Sequence, residues 1–185
     1  MAIKKTSAEQ ILKESVHLFK VRGYYNTSMA NIADACGLIK GSIYHHFKSK
    51  EEIGLESLKY INQYFKDHIF SIAYQTNITE QEKIRAFVKK TDEYFLHSEG
   101  GCLLGNLALE VSTENLEFRE EIQDYFLAWE DALGHILKNR YSDEDAKALA
   151  KEYVALTQGA IMMMNLYSTS ESYLKVGEKI IALLE

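Results

Sequence analysis

The stretch Thr27-Ser28-Met29-Ala30-Asn31-Ile32-Ala33-Asp34-Ala35-Cys36-Gly37-Leu38-Ile39-Lys40-Gly41-Ser42-Ile43-Tyr44-His45-His46-Phe47-Lys48-Ser49-Lys50-Glu51 decides the fold. From about Ser28 to Cys36, Met29, Ile32 and Ala33 recur at helical spacing. Gly37-Leu38-Ile39 then makes a tight turn, because glycine accepts the left-handed backbone through which helices end. A second short helix follows from about Lys40 to Phe47 and presents Ile43 and Phe47 inward. Short helix, glycine turn, short helix is the spacing of a helix-turn-helix. With Ile43 and Phe47 turned in, Lys40, Ser42, Tyr44 and His45 face out, and Gly41 lets the helix approach a partner closely.

Working outward, a helix from about Ser7 to Arg22 precedes this pair, with Ala8, Ile11, Leu12, Ser15 and Phe19 on one face. Another begins at Lys50 and keeps Leu58, Ile61, Phe65, Ile69 and Ile72 on one stripe to about Tyr74, long enough to connect two lobes. Helical periods continue at about 80–97, 102–112, 115–139, 143–166 and 171–184, and no alternating strand pattern persists. Capping boxes mark starts at Ser7/Gln10, Ser49/Glu52 and Thr79/Glu82. Gly23, Gly37 and Gly100-Gly101 mark ends. The expectation is an all-α protein of about nine helices: a three-helix head over residues 1–50 on a helical bundle over 51–185.

Length and composition agree with a folded chain. In 185 residues, 46% are hydrophobic, 26% are charged and none is proline, so a core can be buried and the signature of disorder is missing. The uncharged stretch that could tempt a membrane reading, Tyr153 to Tyr167, holds Thr157, Gln158, Gly159 and Asn165 and falls short of the ~20 apolar residues a span needs. Met1 to Gln10 has no apolar segment of the secretory kind, so the expected location is the cytoplasm. Cys36 and Cys102 match neither a zinc spacing nor a disulfide framework. Charge is unevenly distributed: residues 1–50 carry eight Lys+Arg against three Asp+Glu, while the remainder nets -11 of the total -6. An acidic body with a basic head suits electrostatic attraction to phosphates.

The run quoted above strongly resembles the DNA-binding signature of the TetR/AcrR family of bacterial transcriptional regulators. The match begins at Phe19 and Gly23 and extends to about Leu55. At Ile39 the family commonly has a Ser or Thr capping the recognition helix, so this start lacks its usual cap or uses another. The resemblance implies that Tyr44 and Lys50 touch phosphates. The residues themselves make Thr27 and Ser28, at a helix start, backbone-contact candidates as well as caps. Lys40, Ser42 and His45 are the candidates nearest base edges, beside Gly41 and with Lys48 on the same basic face.

The family's C-terminal helices form a homodimer and enclose a small-molecule pocket whose occupancy changes the separation of the two heads. The resemblance therefore implies a double-stranded, pseudo-palindromic operator and an effector, most simply one that releases a repressor. Ala146, Leu149, Ala150, Tyr153, Ala160 and Met164, with Tyr173, Leu174, Gly177, Ile180, Ile181 and Leu184, give the last two helices apolar faces suited to a dimer interface or equally to a monomer core. Tyr60, Tyr64, Phe87, Tyr94, Phe95, Phe126, Trp129, Met162 and Met163 are candidates for an adaptable aromatic pocket, with ordinary core as the alternative. Cys102, expected in the first turn of a helix, is a candidate electrophile or oxidant sensor in the stretch Gly101 to Asn106, which resembles one subgroup of the family. Glu99 opposes its thiolate, and Cys36 reads as packing.

Enzymatic equipment is missing from the sequence. A di-iron bundle needs two Glu-x-x-His motifs, and one, Glu14-Ser15-Val16-His17, is present. There is no His-Glu-x-x-His, no phosphate-binding glycine loop, no Gly-x-Ser-x-Gly and no cysteine pair at ligand spacing. No cofactor, metal or membrane partner is expected. The rival reading, a protein-interaction bundle that kept a helix-turn-helix as scaffold, leaves the outward Lys40, Tyr44, His45, Lys48 and Lys50 without a purpose.

Overall fold

A computed structural model describes residues 7–111 and 113–185. Among them are nine α-helices and no strand: α1 Ala8–Arg22, α2 Met29–Ala35, α3 Lys40–Ile43, α4 Lys50–His68, α5 Glu80–Phe95, α6 Leu103–Val111, α7 Leu116–Leu137, α8 Asp143–Tyr167 and α9 Glu171–Ala182. A 3-10 helix, Phe70–Tyr74, lies between α4 and α5. The expected all-α class holds. Residues 1–6 of the expected head, and Ser112 at the end of the helix expected over 102–112, lie outside the described residues.

Packing separates the chain into two compact units. The first joins the chain up to Ile61 to Leu103–Ile122, and the second joins Asn62–Cys102 to Gln123–Glu185. This division by packing runs through α4 at Ile61, and the first unit includes α6 from further along the chain. Helical period says which face is apolar but not which distant segment covers it.

Helix ends follow local chemistry, with informative departures. Thr79 and Glu82 form the full reciprocal box at α5, and the Thr79 backbone N–H and hydroxyl hold the Glu82 carboxyl below its usual range. At α1 the Gln10 N–H donates to Ser7 Oγ at 3.2 Å, but the Gln10 side chain turns to Glu14 instead of returning to Ser7. At α4 the Glu52 N–H donates to Ser49 Oγ at 3.1 Å, while the Glu52 carboxylate takes the Lys48 N–H at 2.6 Å. Ser28 and Asn31 make an additional box at α2, asparagine serving where Glu or Gln is usual.

Two helices are shorter than their sequence periods suggest. The α3 helix is a single turn, and the Phe47 and His46 N–H groups both converge on the Ile43 carbonyl at 2.9 Å. Its N-cap, Ile39, supplies no side-chain hydrogen bond and Gly41 lies inside it, so little local energy extends it. The α4 helix ends at His68, not Tyr74, because Ile69 leaves helical geometry at φ -121°, ψ -58°. Ser71 Oγ bonds the Asp67 carbonyl at 2.7 Å there. The 3-10 turn that follows still buries Phe70, Ile72 and Ala73, so the apolar stripe persists although the helix does not.

In the first unit Ile11, Phe19, Ile32, Ile43, Ile53, Leu58, Leu107 and Phe118 are fully buried. In the second unit the core is a ring cluster. Phe65 lies 5.1 Å from Tyr125, 5.6 Å from Phe70, 5.8 Å from Phe95 and 6.0 Å from Trp129, centroid to centroid. These are the offset and edge-on distances at which aromatic pairs attract beyond their area burial. Gly177 lets α9 approach α5, since a Cβ there would sit 2.9 Å from Val88 Cγ1.

Candidate nucleic-acid interface

The turn from Gly23 to Thr27 sets the direction of α2. Gly23 has φ 82° and ψ 163°, a region open essentially to glycine alone. Thr27 closes the turn: its N–H donates to the Tyr24 carbonyl at 3.2 Å and its hydroxyl to the Gly23 carbonyl at 2.8 Å. Thr27 is buried, which corrects its expected phosphate contact, because the hydroxyl is already committed inside the turn. Ser28 is exposed and accepts the Asn31 N–H at 3.2 Å, so it caps α2 from a position still open to a phosphate.

After the turn at Gly37, Ile43 and Phe47 are buried and Lys40, Gly41, Tyr44, His45 and His46 are exposed, with Ser42 half-buried and Lys48 exposed beyond them. Seven of the nine expected DNA-facing residues, Ser28, Lys40, Gly41, Ser42, Tyr44, His45 and Lys48, are thus solvent-accessible on the helix-turn-helix or just beside it. Ile39, at 77% exposure, shares that surface. Lys50 is different. Its ammonium donates to the Tyr24 carbonyl at 3.0 Å and lies 4.3 Å from the Tyr24 ring centroid. Burial holds the Lys50 ammonium below its usual range, with the Glu110 charge opposing.

Sequence reading missed the residues that brace this turn. Glu110, on α6, accepts the Tyr24 N–H through Oε2 at 2.6 Å, and a Cβ placed on Gly23 would collide with its Oε1. Tyr25 hydrogen-bonds Glu114, Asn115 donates to Glu51 at 2.6 Å, and Asn106 donates to the Lys20 carbonyl at 3.4 Å. The Tyr24 ring packs on Phe19 at 5.5 Å and Phe118 at 5.3 Å. Burial and the nearby Glu51 charge push its phenol up to about 12. Gly54 leaves room for both rings, because a Cβ there would sit 2.6 Å from Phe118 Cζ. With Tyr24 and Glu110 separated by 86 positions, only the glycine at 23 carried any signal in the sequence.

The expected effector residues do not converge on one chamber. Phe87 and Trp129 line a cavity of about 20 Å³ with Thr91, Asp92, Thr157 and Tyr173, room for about one water. Tyr64 and Tyr94 line an open cleft of about 490 Å³ with His68 and His97. Met163 borders a separate groove between α8 and α9, Phe126 packs on Tyr125 at 5.1 Å, and Asn106 belongs to the first unit. The rings expected to line a pocket mostly fill it. Cys102 precedes α6 instead of lying in its first turn and is 4% exposed. The Tyr125 hydroxyl lies against it, and burial first, then the thiol's charge, hold that phenol well above its ordinary range. Burial also pushes the Cys36 thiol up to about 11.

The last two helices have two apolar faces. Ala146, Ala150, Ala160, Tyr173, Gly177, Ile180 and Leu184 are buried within the chain itself, so of the two uses open to them these residues serve the monomer core. Leu156, Met162, Met163, Leu166, Tyr167 and Leu174 on the same helices are exposed.

An exposed, basic second helix in a helix-turn-helix, carried on an all-α body, defines a DNA-binding regulator. Comparison with known proteins agrees. The family described as "Bacterial regulatory proteins, tetR family" matches residues 11–56, and "Transcriptional regulator LmrA/YxaF-like, C-terminal domain" matches residues 81–179. The HTH-type transcriptional regulator YxaF of Bacillus subtilis is 28% identical over 97% of this chain and 96% of its own length. The regulator LmrA of the same organism is 29% identical over 85% of each chain. A TetR transcriptional regulator from Legionella pneumophila, 25% identical, has a crystal structure that superposes with a TM-score of 0.86 over 97% of both chains. The chain belongs to the TetR family of transcriptional regulators, in the group with LmrA/YxaF-like C-terminal domains. No helix among the described residues is long and apolar enough to cross a membrane.

Proposed function

We propose that this protein is a homodimeric, non-enzymatic repressor of the cytoplasm that leaves a pseudo-palindromic operator when a small effector binds. One observation carries the DNA-binding part of the reading: α3 and the turn that follows it bury Ile43 and Phe47 and expose Lys40, Gly41, Tyr44 and His45. The head, residues 1–50, reads the major groove with Lys40, Ser42 and His45 near base edges and Gly41 allowing close approach. Ser28, Tyr44 and Lys48 meet phosphates. Lys50 keeps two of its three donors for phosphate beyond the one given to Tyr24.

Residues 51–185 dimerise and take the effector. The exposed Leu156, Met162, Leu166 and Leu174 on α8 and α9 support a self-association face. Two heads on one palindrome supply the affinity that a single small module lacks. The Phe87–Trp129 cavity, enlarged by movement of its rings, and the Tyr64–Tyr94 cleft support effector binding in the second unit. Release follows where the effector prefers the conformation that cannot grip DNA.

The test is selection from random double-stranded DNA at two salt concentrations. A palindromic consensus is expected, and failure to select any site at low salt sinks the reading. On that site Tyr44→Ala should lower affinity similarly for all sequences and reduce the salt slope by about 1, whereas Lys40→Ala or His45→Ala should change the preferred bases.

A further inference from the structure

The two backbone polar groups of Tyr24 are both held by side chains from elsewhere in the first unit. Glu110 of α6 takes its N–H at 2.6 Å. Lys50, the first residue of α4, takes its carbonyl at 3.0 Å. The same carbonyl accepts the Thr27 N–H at the mouth of α2, so one residue ties together the starts of the two helices that flank α3. The surroundings are shaped for this arrangement. Gly23 adopts a backbone open only to glycine, and a side chain on it would strike the Glu110 carboxylate. Tyr25 and Glu114 add a second attachment, one residue after Tyr24 and four after Glu110.

Nothing in this arrangement touches the outward face of α3. A carboxylate near a DNA-binding surface is also the wrong charge for it, since an acid there repels phosphate. Its use has to be mechanical. We propose that Glu110 is a positioning residue for DNA recognition: by fixing the Gly23–Thr27 turn and sharing Tyr24 with Lys50, it sets the placement of α2 and α4 around α3. The operator-reading geometry thus depends on α6, a helix outside the recognition motif. This rests on the DNA-binding reading above.

The sign of the effect makes it testable. Electrostatics alone predicts that removing an acid from the head strengthens DNA binding. Positioning predicts the opposite for the chosen operator and little change for random DNA, which reads charge and not geometry. In the full-length protein, Glu110→Ala should weaken the selected site by about tenfold or more and leave binding to random DNA no weaker than wild type. Glu110→Gln keeps an acceptor oxygen for the Tyr24 N–H and should recover most of the lost affinity. Amide hydrogen exchange at residues 24–28 should quicken in Glu110→Ala and stay near wild type in Glu110→Gln, whatever the DNA result.

Unchanged or tighter operator binding in Glu110→Ala overturns the proposal. So does a parallel loss on operator and random DNA together with a lowered melting temperature, which marks a fold defect. If wild type itself selects no site, the DNA-binding reading has failed. The exchange measurement then still decides whether Glu110 holds the turn, and unchanged exchange rejects it.

Discussion

The two units of this protein are held in different ways. The first encloses a mixed core of aliphatic residues with Phe19 and Phe118 and fixes its working turn with single directional hydrogen bonds: Glu110 to Tyr24, Lys50 to Tyr24, Thr27 to Gly23. The second is held by rings packed on rings around Phe65 and Trp129, with room for about one water beside them. Most of the stabilisation from packed rings is roughly proportional to the area buried, with a smaller preference for offset and edge-on geometry, so it is strong and tolerates small shifts. A carboxylate on one backbone N–H contributes less but specifies an orientation. Reading a base sequence needs orientation, whereas the body proposed to dimerise and take an effector needs a cohesive core.

The contrast can be broken at several points. Phe65→Ala removes the ring at the centre of the second unit and should cost about 3–5 kcal/mol in urea unfolding followed by circular dichroism. A cost below that of any head variant would reverse the comparison. Gly23→Ala should cost about 1–3 kcal/mol, because alanine is strained in that backbone and its methyl meets Glu110. Operator affinity should fall with it, a result that Phe65→Ala should not reproduce in molecules that remain folded.

Smaller effects sharpen the same contrast. Ser28→Ala and Thr79→Ala each remove a capping box and should each lower stability by about 1 kcal/mol. Of the two, only Ser28→Ala should reduce DNA binding, and an equal loss from Thr79→Ala would remove the distinction between cap and contact. Last comes a charge inside the second unit. Burial raises the Asp92 carboxyl above its ordinary range, and the neighbouring Tyr173 hydroxyl opposes this in part. An acid whose pKa is higher folded than unfolded stabilises the fold below its unfolded pKa and loses that contribution as pH rises through the folded one. Asp92→Asn should therefore melt above wild type near neutral pH, with the advantage shrinking as pH falls into the carboxylate range. An advantage that is constant with pH would assign the effect to shape and not to charge.

Legibility in the sequence followed the range of the interaction. The Thr79–Glu82 box, the Ser7 cap, the Gly37 turn and the inward pair Ile43 and Phe47 all depend on neighbours three or four positions apart, and all are present. Misreadings came where a residue had two local uses or a distant partner. Thr27 suited a phosphate but closes its own turn. The stripe through Ile69 and Ile72 has helical period, yet the chain switches to a tighter helix at Phe70 and buries the same residues. Met163 and Trp129, grouped by composition, line different cavities.

The sequence by itself determined the all-α class, the helix-turn-helix and the family, because periodicity, caps and turn glycines are local and the DNA-reading face is continuous along the chain. Only the tertiary structure decided that Glu110 braces Tyr24 across 86 positions, that the aromatic residues of the second unit pack on one another, and which face of α8 and α9 stays exposed. Those outcomes depend on which surfaces meet when distant segments compete for the same burial, a choice no local pattern encodes.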